Sequence, residues 1–187
     1  NVSVVYNGIN YKDFISEQET LDRNILRKKY SIQDKDFVIG YVSRIKNQKR
    51  QKVIIESVVP LIKKGFNIKV IFVGDDSVTR EVIGGKESNY FSELKELCIN
   101  KNIVDNIIFT GHQKNTAPYY SIFDCFVFPA INDSNPRVIL EAMTSKIPII
   151  ANKSGGVTNM LEDGEFGLLC DVDNISDFTK KIKILLI

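Results

Sequence analysis

The sequence predicts an α/β fold of the Rossmann-like class: one doubly wound parallel sheet of about six strands in a single domain spanning residues 1–187. Three observations carry that prediction. Short apolar runs alternate with amphipathic segments along the whole chain. The runs are continuous rather than alternately apolar and polar, as in strands buried on both faces beneath helices. Finally, 187 residues with 43% hydrophobic and 26% charged side chains match one ordinary globular domain in size and balance.

Residues 38–42 read as the first buried strand. A helix follows, with Ile54, Val58, Leu61 and Ile62 at helical spacing and Gly65 as its stop. Residues 68–73 form the next strand, and a helix over 91–100 leads to a strand at 107–109. A short helical stretch near Tyr119 precedes a strand at 125–128. Residues 139–143 belong to another helix, 147–151 to a strand, 157–161 to a short helix and 167–170 to a last strand. A terminal helical pattern runs from Phe178. The crossovers between parallel strands are expected to be right-handed.

Composition excludes several classes. Twenty-five Lys and Arg against 23 Asp and Glu leave a formal charge of +2, which makes no case for nucleic acid. No apolar run reaches membrane-spanning length. Cys98, Cys125 and Cys170 are widely spaced, without metal-ligand spacing, and read as reduced thiols of an intracellular protein. Glycosylation sequons at Asn1, Asn132, Asn152 and Asn174 carry little weight without a signal peptide. The chain starts at Asn1 and stops within a helical pattern, so the expectation is one domain of a longer protein.

Ligands of doubly wound sheets bind beyond the carboxyl ends of the strands. The segments there are 43–49, 74–76, 111–112, 129–135 and 153–156. In the stretch 133–143, Asn135 is the expected helix N-cap and Pro136 the first helical residue. The free amides and the dipole of that helix end form an anion site suited to a diphosphate. Glu141, six residues past the expected cap, lies about 9 Å further along the axis, and Asp133 sits before it. Two carboxylates flanking an anion site suit a nucleotide sugar, which has hydroxyls at both ends of a diphosphate. Arg44 and Lys49 are placed to neutralise that diphosphate, and more strongly as it leaves.

Plainer readings stand beside these. Arg44 and Lys49 are also what solvated loop cations look like, and Asp133 what a turn residue looks like. Gly155 and Gly156 fit a strand-to-helix turn as well as a close ligand approach. His112 is the sole histidine, and a lone loop histidine is more often incidental than catalytic. Asp171-Val172-Asp173 and Asp34-Lys35-Asp36 read as turns with a capping role rather than as metal triplets. No metal and no cofactor are expected.

The run Arg44 to Lys49, then Val73-Gly74-Asp75, Phe109-Thr110-Gly111, residues 133–143 and Ser154-Gly155-Gly156 resembles the carboxyl-terminal half of GT-B glycosyltransferases. It is most similar to glycosyltransferase family four, a retaining group, and Val4 to Asn10 is similar to the segment opening that half. The resemblance implies that Glu141 meets the nucleotide ribose and that Asp133, standing where the family has Glu, meets donor-sugar hydroxyls. It places Arg44 and Lys49 on the diphosphate, completing with Asp133 the catalytic set. Ser134, Asn135, Pro136, Arg137 and Val138 match the loop whose amides contact phosphate and sugar, with Asn135-Pro136 replacing a frequent Phe-Gly pair. Gly111 and His112 match the neighbourhood of the base, and Gly155 and Gly156 complete the donor set. Arg50 replaces the usual Gly after the lysine.

By this resemblance the donor is a UDP- or GDP-linked sugar, and no metal is needed. The acceptor is a glycan or lipid-linked molecule held by an amino-terminal half absent here. The expected setting is bacterial surface polysaccharide synthesis in the cytoplasm, with peripheral association at the inner membrane face. The isolated half is expected to bind donor weakly and to catalyse little. The alternatives are a GT-B-fold sugar-nucleotide epimerase and a non-catalytic nucleotide-binding module. A dinucleotide oxidoreductase is disfavoured, because no G-x-G-x-x-G follows the first strand.

Overall fold

The computed structural model describes residues 7–75, 81–83 and 86–187. Of the segments singled out above, residues 4–6, Asp76 and the Asn1 sequon lie outside the described residues. Two helices, α1 (Tyr11–Gln18) and α2 (Arg23–Lys29), precede β1 (Phe37–Val42) and α3 (Gln51–Ile62). Next come β2 (Ile68–Val73), a hairpin of β3 (Glu81–Ile83) and β4 (Lys86–Ser88), α4 (Tyr90–Lys101) and β5 (Ile107–Phe109). The second half contains α5 (Ala117–Tyr120), β6 (Cys125–Phe128), α6 (Arg137–Thr144), β7 (Ile149–Asn152), α7 (Gly155–Met160), β8 (Leu168–Cys170) and α8 (Ile175–Leu186).

Apart from the hairpin, the strands form one six-stranded parallel sheet in the order β5-β2-β1-β6-β7-β8. Counted along the chain, that is third, second, first, fourth, fifth, sixth, so the winding reverses between β1 and β6. The predicted fold class and all six predicted sheet strands are therefore present. β1 and β2 pair over their full length, from Phe37↔Ile68 to Val42↔Val73. Helices α3, α4 and α8 pack together, while α1, α5 and α6 form a second group. The continuous apolar strands lie between, with every residue of β6 and β7 buried.

Gly40 is a glycine because the Phe123 ring occupies the space a β-carbon would need, with ring atoms only 2.2–2.4 Å from that position. Tyr41 lies edge-on to Phe72, Phe126 and Phe128, so an aromatic layer fills the core beneath the carboxyl end of the sheet. Sparse burial explains why α1 and α2 escape a periodicity reading: α1 buries only Phe14, and α2 only Leu26 and Arg27.

Element ends shift by one to three residues from the sequence reading, as at β7, α7 and α8, and one such shift bears on the site. Helix α6 begins at Arg137, and Pro136 is its extended cap (φ −73°, ψ 114°) rather than its first helical residue. The first turn closes from Ile139 N–H to the Pro136 carbonyl at 3.0 Å, and the Asn135 side chain makes no capping hydrogen bond. Glu141 thus stands five residues past the cap, about 7.5 Å along the axis.

Candidate functional site

Loops after the strands are stitched into one floor at the carboxyl edge. Ile45 N–H bonds the Asp75 carbonyl at 2.8 Å, joining the loops after β1 and β2. Ile131 N–H bonds the Gln48 carbonyl at 3.1 Å, joining those after β6 and β1. Asn152 extends the floor, donating through Nδ2 to the Ala130 carbonyl at 3.2 Å and accepting from Val172 N–H at 3.1 Å. Gly74 and Gly111, both with positive φ, form a bridge beside it. At Gly74 the Ser43 carbonyl oxygen would lie 2.1 Å from a β-carbon, so only glycine fits.

Across the β1–β6 reversal, Lys49 Nζ donates to Asp133 Oδ2 in an ion pair, each side chain 26% exposed. Lys49 ends a 3-10 turn over Asn47–Lys49, and its carbonyl accepts from the buried Tyr41 hydroxyl at 2.9 Å. Burial pushes the Tyr41 phenol well up; a hydrogen bond with Ser43 offsets part of this, and the Asp133 charge adds to it. The phenol therefore stays protonated and available as a donor. Gln51, wholly buried, donates through Nε2 to Ser43 Oγ at 3.0 Å and to the Arg44 carbonyl at 2.8 Å. The main chain at Arg44 is fixed while its side chain is exposed. Arg50 follows in the left-handed region (φ 54°), the conformation glycine favours.

The second carboxylate is anchored separately. Tyr120 hydroxyl donates to Glu141 Oε2 at 2.7 Å. Between the two acids run Ser134, Asn135 and Pro136, followed by Arg137 and Val138, the first residues of α6. Asn7 Nδ2 reaches this loop, donating to the Asn135 carbonyl at 3.3 Å.

Gly155 and Gly156 open α7 and separate cleanly. At Gly156 a β-carbon would sit 1.6 Å from the Ser134 carbonyl oxygen, so its hydrogen is what lets α7 abut the 133–136 loop. Gly155 faces open space, with nothing within 4 Å. His112 is exposed on the loop after β5.

Sequence reasoning thus brought Lys49, Asp133, Ser134 and Gly156 to one place and missed Tyr41, Tyr120 and Gln51. Both tyrosines sit in apolar runs and read as core. Their hydroxyl partners appear only when the turn after β1 folds back over Tyr41 and helix α6 packs against α5. The aspartate triplets behave as turns: Asp171 Oδ1 accepts from Asp173 N–H at 3.0 Å, and Asp36 Oδ2 from Gln33 N–H at 2.8 Å. The cap of α8 is Asn174, whose Oδ1 accepts from Asp177 N–H at 3.1 Å. Among the described residues, no group of three or more His, Cys, Asp or Glu is arranged to hold a metal ion. No helix among them is long and apolar enough to cross a membrane.

The family described as Glycosyl transferases group 1 matches residues 22–187. The chain belongs to that family. This group 1 glycosyltransferase domain is 28% identical over 181 residues to the capsular polysaccharide biosynthesis glycosyltransferase CapM of Staphylococcus aureus, covering 96% of the chain and 43% of CapM. It superposes on Anabaena Alr3699/HepE in complex with UDP and glucose with TM-score 0.81 and 23% identity, over 97% of this chain and 46% of that one. The C-terminal domain of a glycosyl transferase group 1 family protein, LpcC from Francisella tularensis, matches with TM-score 0.75 and 21% identity, over 96% of this chain and 88% of that one. At these identities the solved structures establish a shared fold. The group 1 domain spans less than half the length of CapM.

Proposed function

We propose that this domain is the donor-binding half of a retaining glycosyltransferase, which takes a sugar from a nucleotide diphosphate donor to a glycan or lipid-linked acceptor in bacterial surface polysaccharide synthesis. The observation that carries the reading is the Lys49–Asp133 pair bridging the β1–β6 reversal, with Asp133 in the loop that leads into α6. That crevice is where doubly wound sheets take nucleotides. The kinship with CapM and the UDP and glucose bound by HepE support it.

In this reading the α6 amides, Lys49 and Arg44 hold the diphosphate, and Asp133 accepts from sugar hydroxyls. Glu141 accepts from the ribose, the loop of Ser134 to Val138 surrounds phosphate and sugar, and Gly111 and His112 border the base. A bound diphosphate competes with Asp133 for the Lys49 ammonium, which frees carboxylate capacity for the sugar. As the bond from the anomeric carbon to the diphosphate oxygen breaks, the acceptor oxygen bonds that carbon on the same face. The acceptor proton passes to the departing diphosphate, whose growing charge Lys49 and the helix end stabilise. The acceptor and the closing of the cleft belong to an amino-terminal half, and the setting is the cytoplasmic face of the membrane.

Calorimetric titration of the domain with UDP, GDP, ADP and their sugar conjugates, with and without EDTA, tests the reading. Binding of one nucleotide series, unaffected by EDTA and lost in Glu141→Ala, is the expected result. Binding that needs a divalent metal, or that survives both Glu141→Ala and Lys49→Ala, overturns it.

A further inference from the structure

Tyr120, the last residue of α5, is only 1% exposed. Three rings fix it: Phe126 stacks at 5.7 Å, Phe123 tilts against it at 5.5 Å, and Phe14 of α1 meets it edge-on at 5.5 Å. From this cage the hydroxyl points at one oxygen of a carboxylate, Glu141 Oε2, at 2.7 Å. Burial, and then the Glu141 charge, push the phenol well above its ordinary value, so the proton stays on Tyr120 and the hydroxyl stays a donor.

Glutamate is a long side chain whose ordering costs rotamer freedom. Here one oxygen is engaged and the main chain behind it is pinned: the Glu141 carbonyl accepts from Ser145 N–H at 3.0 Å and from Ser145 Oγ at 2.9 Å. Gln18 of α1 donates in turn to Ser145 Oγ at 3.1 Å. The anchor thus reaches Glu141 from beneath through the phenol and from α1 through Ser145. The other carboxylate oxygen, Oε1, is left for a ligand, held before the ligand arrives.

We infer that Tyr120 is a positioning residue that orients Glu141 for bidentate use, one oxygen on the phenol and one on a ribose hydroxyl, and so sets the preference of the site for ribonucleotides over deoxyribonucleotides. This rests on the donor-site reading above. The ring alone serves packing, and phenylalanine supplies that equally; only the hydroxyl serves Glu141.

The test measures affinities for UDP, GDP and ADP, for their 2′-deoxy and 3′-deoxy counterparts, and for inorganic pyrophosphate, in the parent domain and in Tyr120→Phe, Phe14→Leu and Glu141→Gln. The parent is expected to favour the ribose form by about tenfold or more, the worth of a hydrogen bond to a charged group. Tyr120→Phe brings that ratio close to one and leaves pyrophosphate affinity unchanged. Phe14→Leu keeps the hydroxyl, loosens its cage and gives an intermediate ratio. A full ratio in Tyr120→Phe alongside a collapsed one in Glu141→Gln overturns the inference and leaves the donor site standing. A parallel loss for every ligand, pyrophosphate included, marks general loosening and overturns it as well. Absence of any ribose preference in the parent, or of nucleotide binding, overturns the donor-site reading and the inference with it.

Discussion

Replacing Gly156 with alanine tests whether α7 and the 133–136 loop are held at backbone contact. The added β-carbon falls 1.6 Å from the Ser134 carbonyl oxygen, 2.3 Å from its carbon and 2.7 Å from Cα. Ordinary contact begins at about 3.4 Å, so helix and loop must part by about 2 Å. All three obstructing atoms belong to the Ser134 residue's backbone, so no side chain can rotate away. Overpacking of this kind costs about 1–3 kcal/mol, which for a domain of this size lowers Tm by about 2–12 °C. Displacing a site loop by even 1 Å is worth about 100-fold in function, so nucleotide-sugar affinity falls further than stability. Gly155→Ala is the matched control, since its β-carbon meets nothing and its φ is not positive. Thermal melts and donor titrations on the two variants provide the assay. Equal Tm and affinity for Gly156→Ala and the parent refute the packing argument, as does equal damage from both substitutions. Intact stability with lost binding in Gly155→Ala shows that donor approaches that backbone.

Lys49→Ala removes a cation worth about 1.5–3 kcal/mol to a charged ligand, so titration calorimetry should show donor affinity falling about 10–100-fold with the fold retained. Arg50 holds a left-handed conformation (φ 54°) that costs an ordinary residue about 1–2 kcal/mol. Glycine's extra freedom when unfolded offsets part of the gain, so Arg50→Gly should raise Tm by about 1–4 °C in a melting scan. Burial pushes the Cys98 thiol up from 9.0 to about 11. Between those values the folded chain keeps a proton that the unfolded chain loses, so stability is flat below pH 9 and falls as pH rises towards 11. Urea unfolding across that window should show a shallower decline in Cys98→Ala.

The strands were legible because each is a short, mainly apolar run, wholly buried in β6 and β7 and only partly so in the edge strands β5 and β8, and six such runs separated by amphipathic stretches leave little choice of architecture. Helices α1 and α2 bury one and two side chains, too few to mark a periodic stripe. The pairing of Lys49 with Asp133 links positions 84 residues apart in sequence. Topology made it foreseeable as a shared edge, though not as a contact. The α6 boundary slipped by one residue because Asn135 has cap chemistry and Pro136 suits a first helical position, yet Pro136 keeps an extended backbone and the helix starts at Arg137. Tyr41, Tyr120 and Gln51 were illegible for a different reason. The two phenols sit in apolar runs and look like core filler, while Gln51 sits in a polar stretch that gives no sign of its complete burial, until folding brings each group to its partner.

The two phenols beneath the site have a spectroscopic consequence. The chain carries seven tyrosines and no tryptophan, so its near-ultraviolet emission is tyrosine emission throughout. Tyr41 and Tyr120 give their protons to hydrogen bonds at the Lys49 carbonyl and the Glu141 carboxylate. A phenol bonded to a carboxylate is quenched in proportion to the charge on the oxygen it meets, and a second donor on the other oxygen draws part of that charge away while the phenol stays bonded. Any molecule that engages Glu141 therefore alters the light the domain emits. Occupancy of the cleft can be followed in unmodified protein, without a dye or a tag, by fluorescence excited at the tyrosine band.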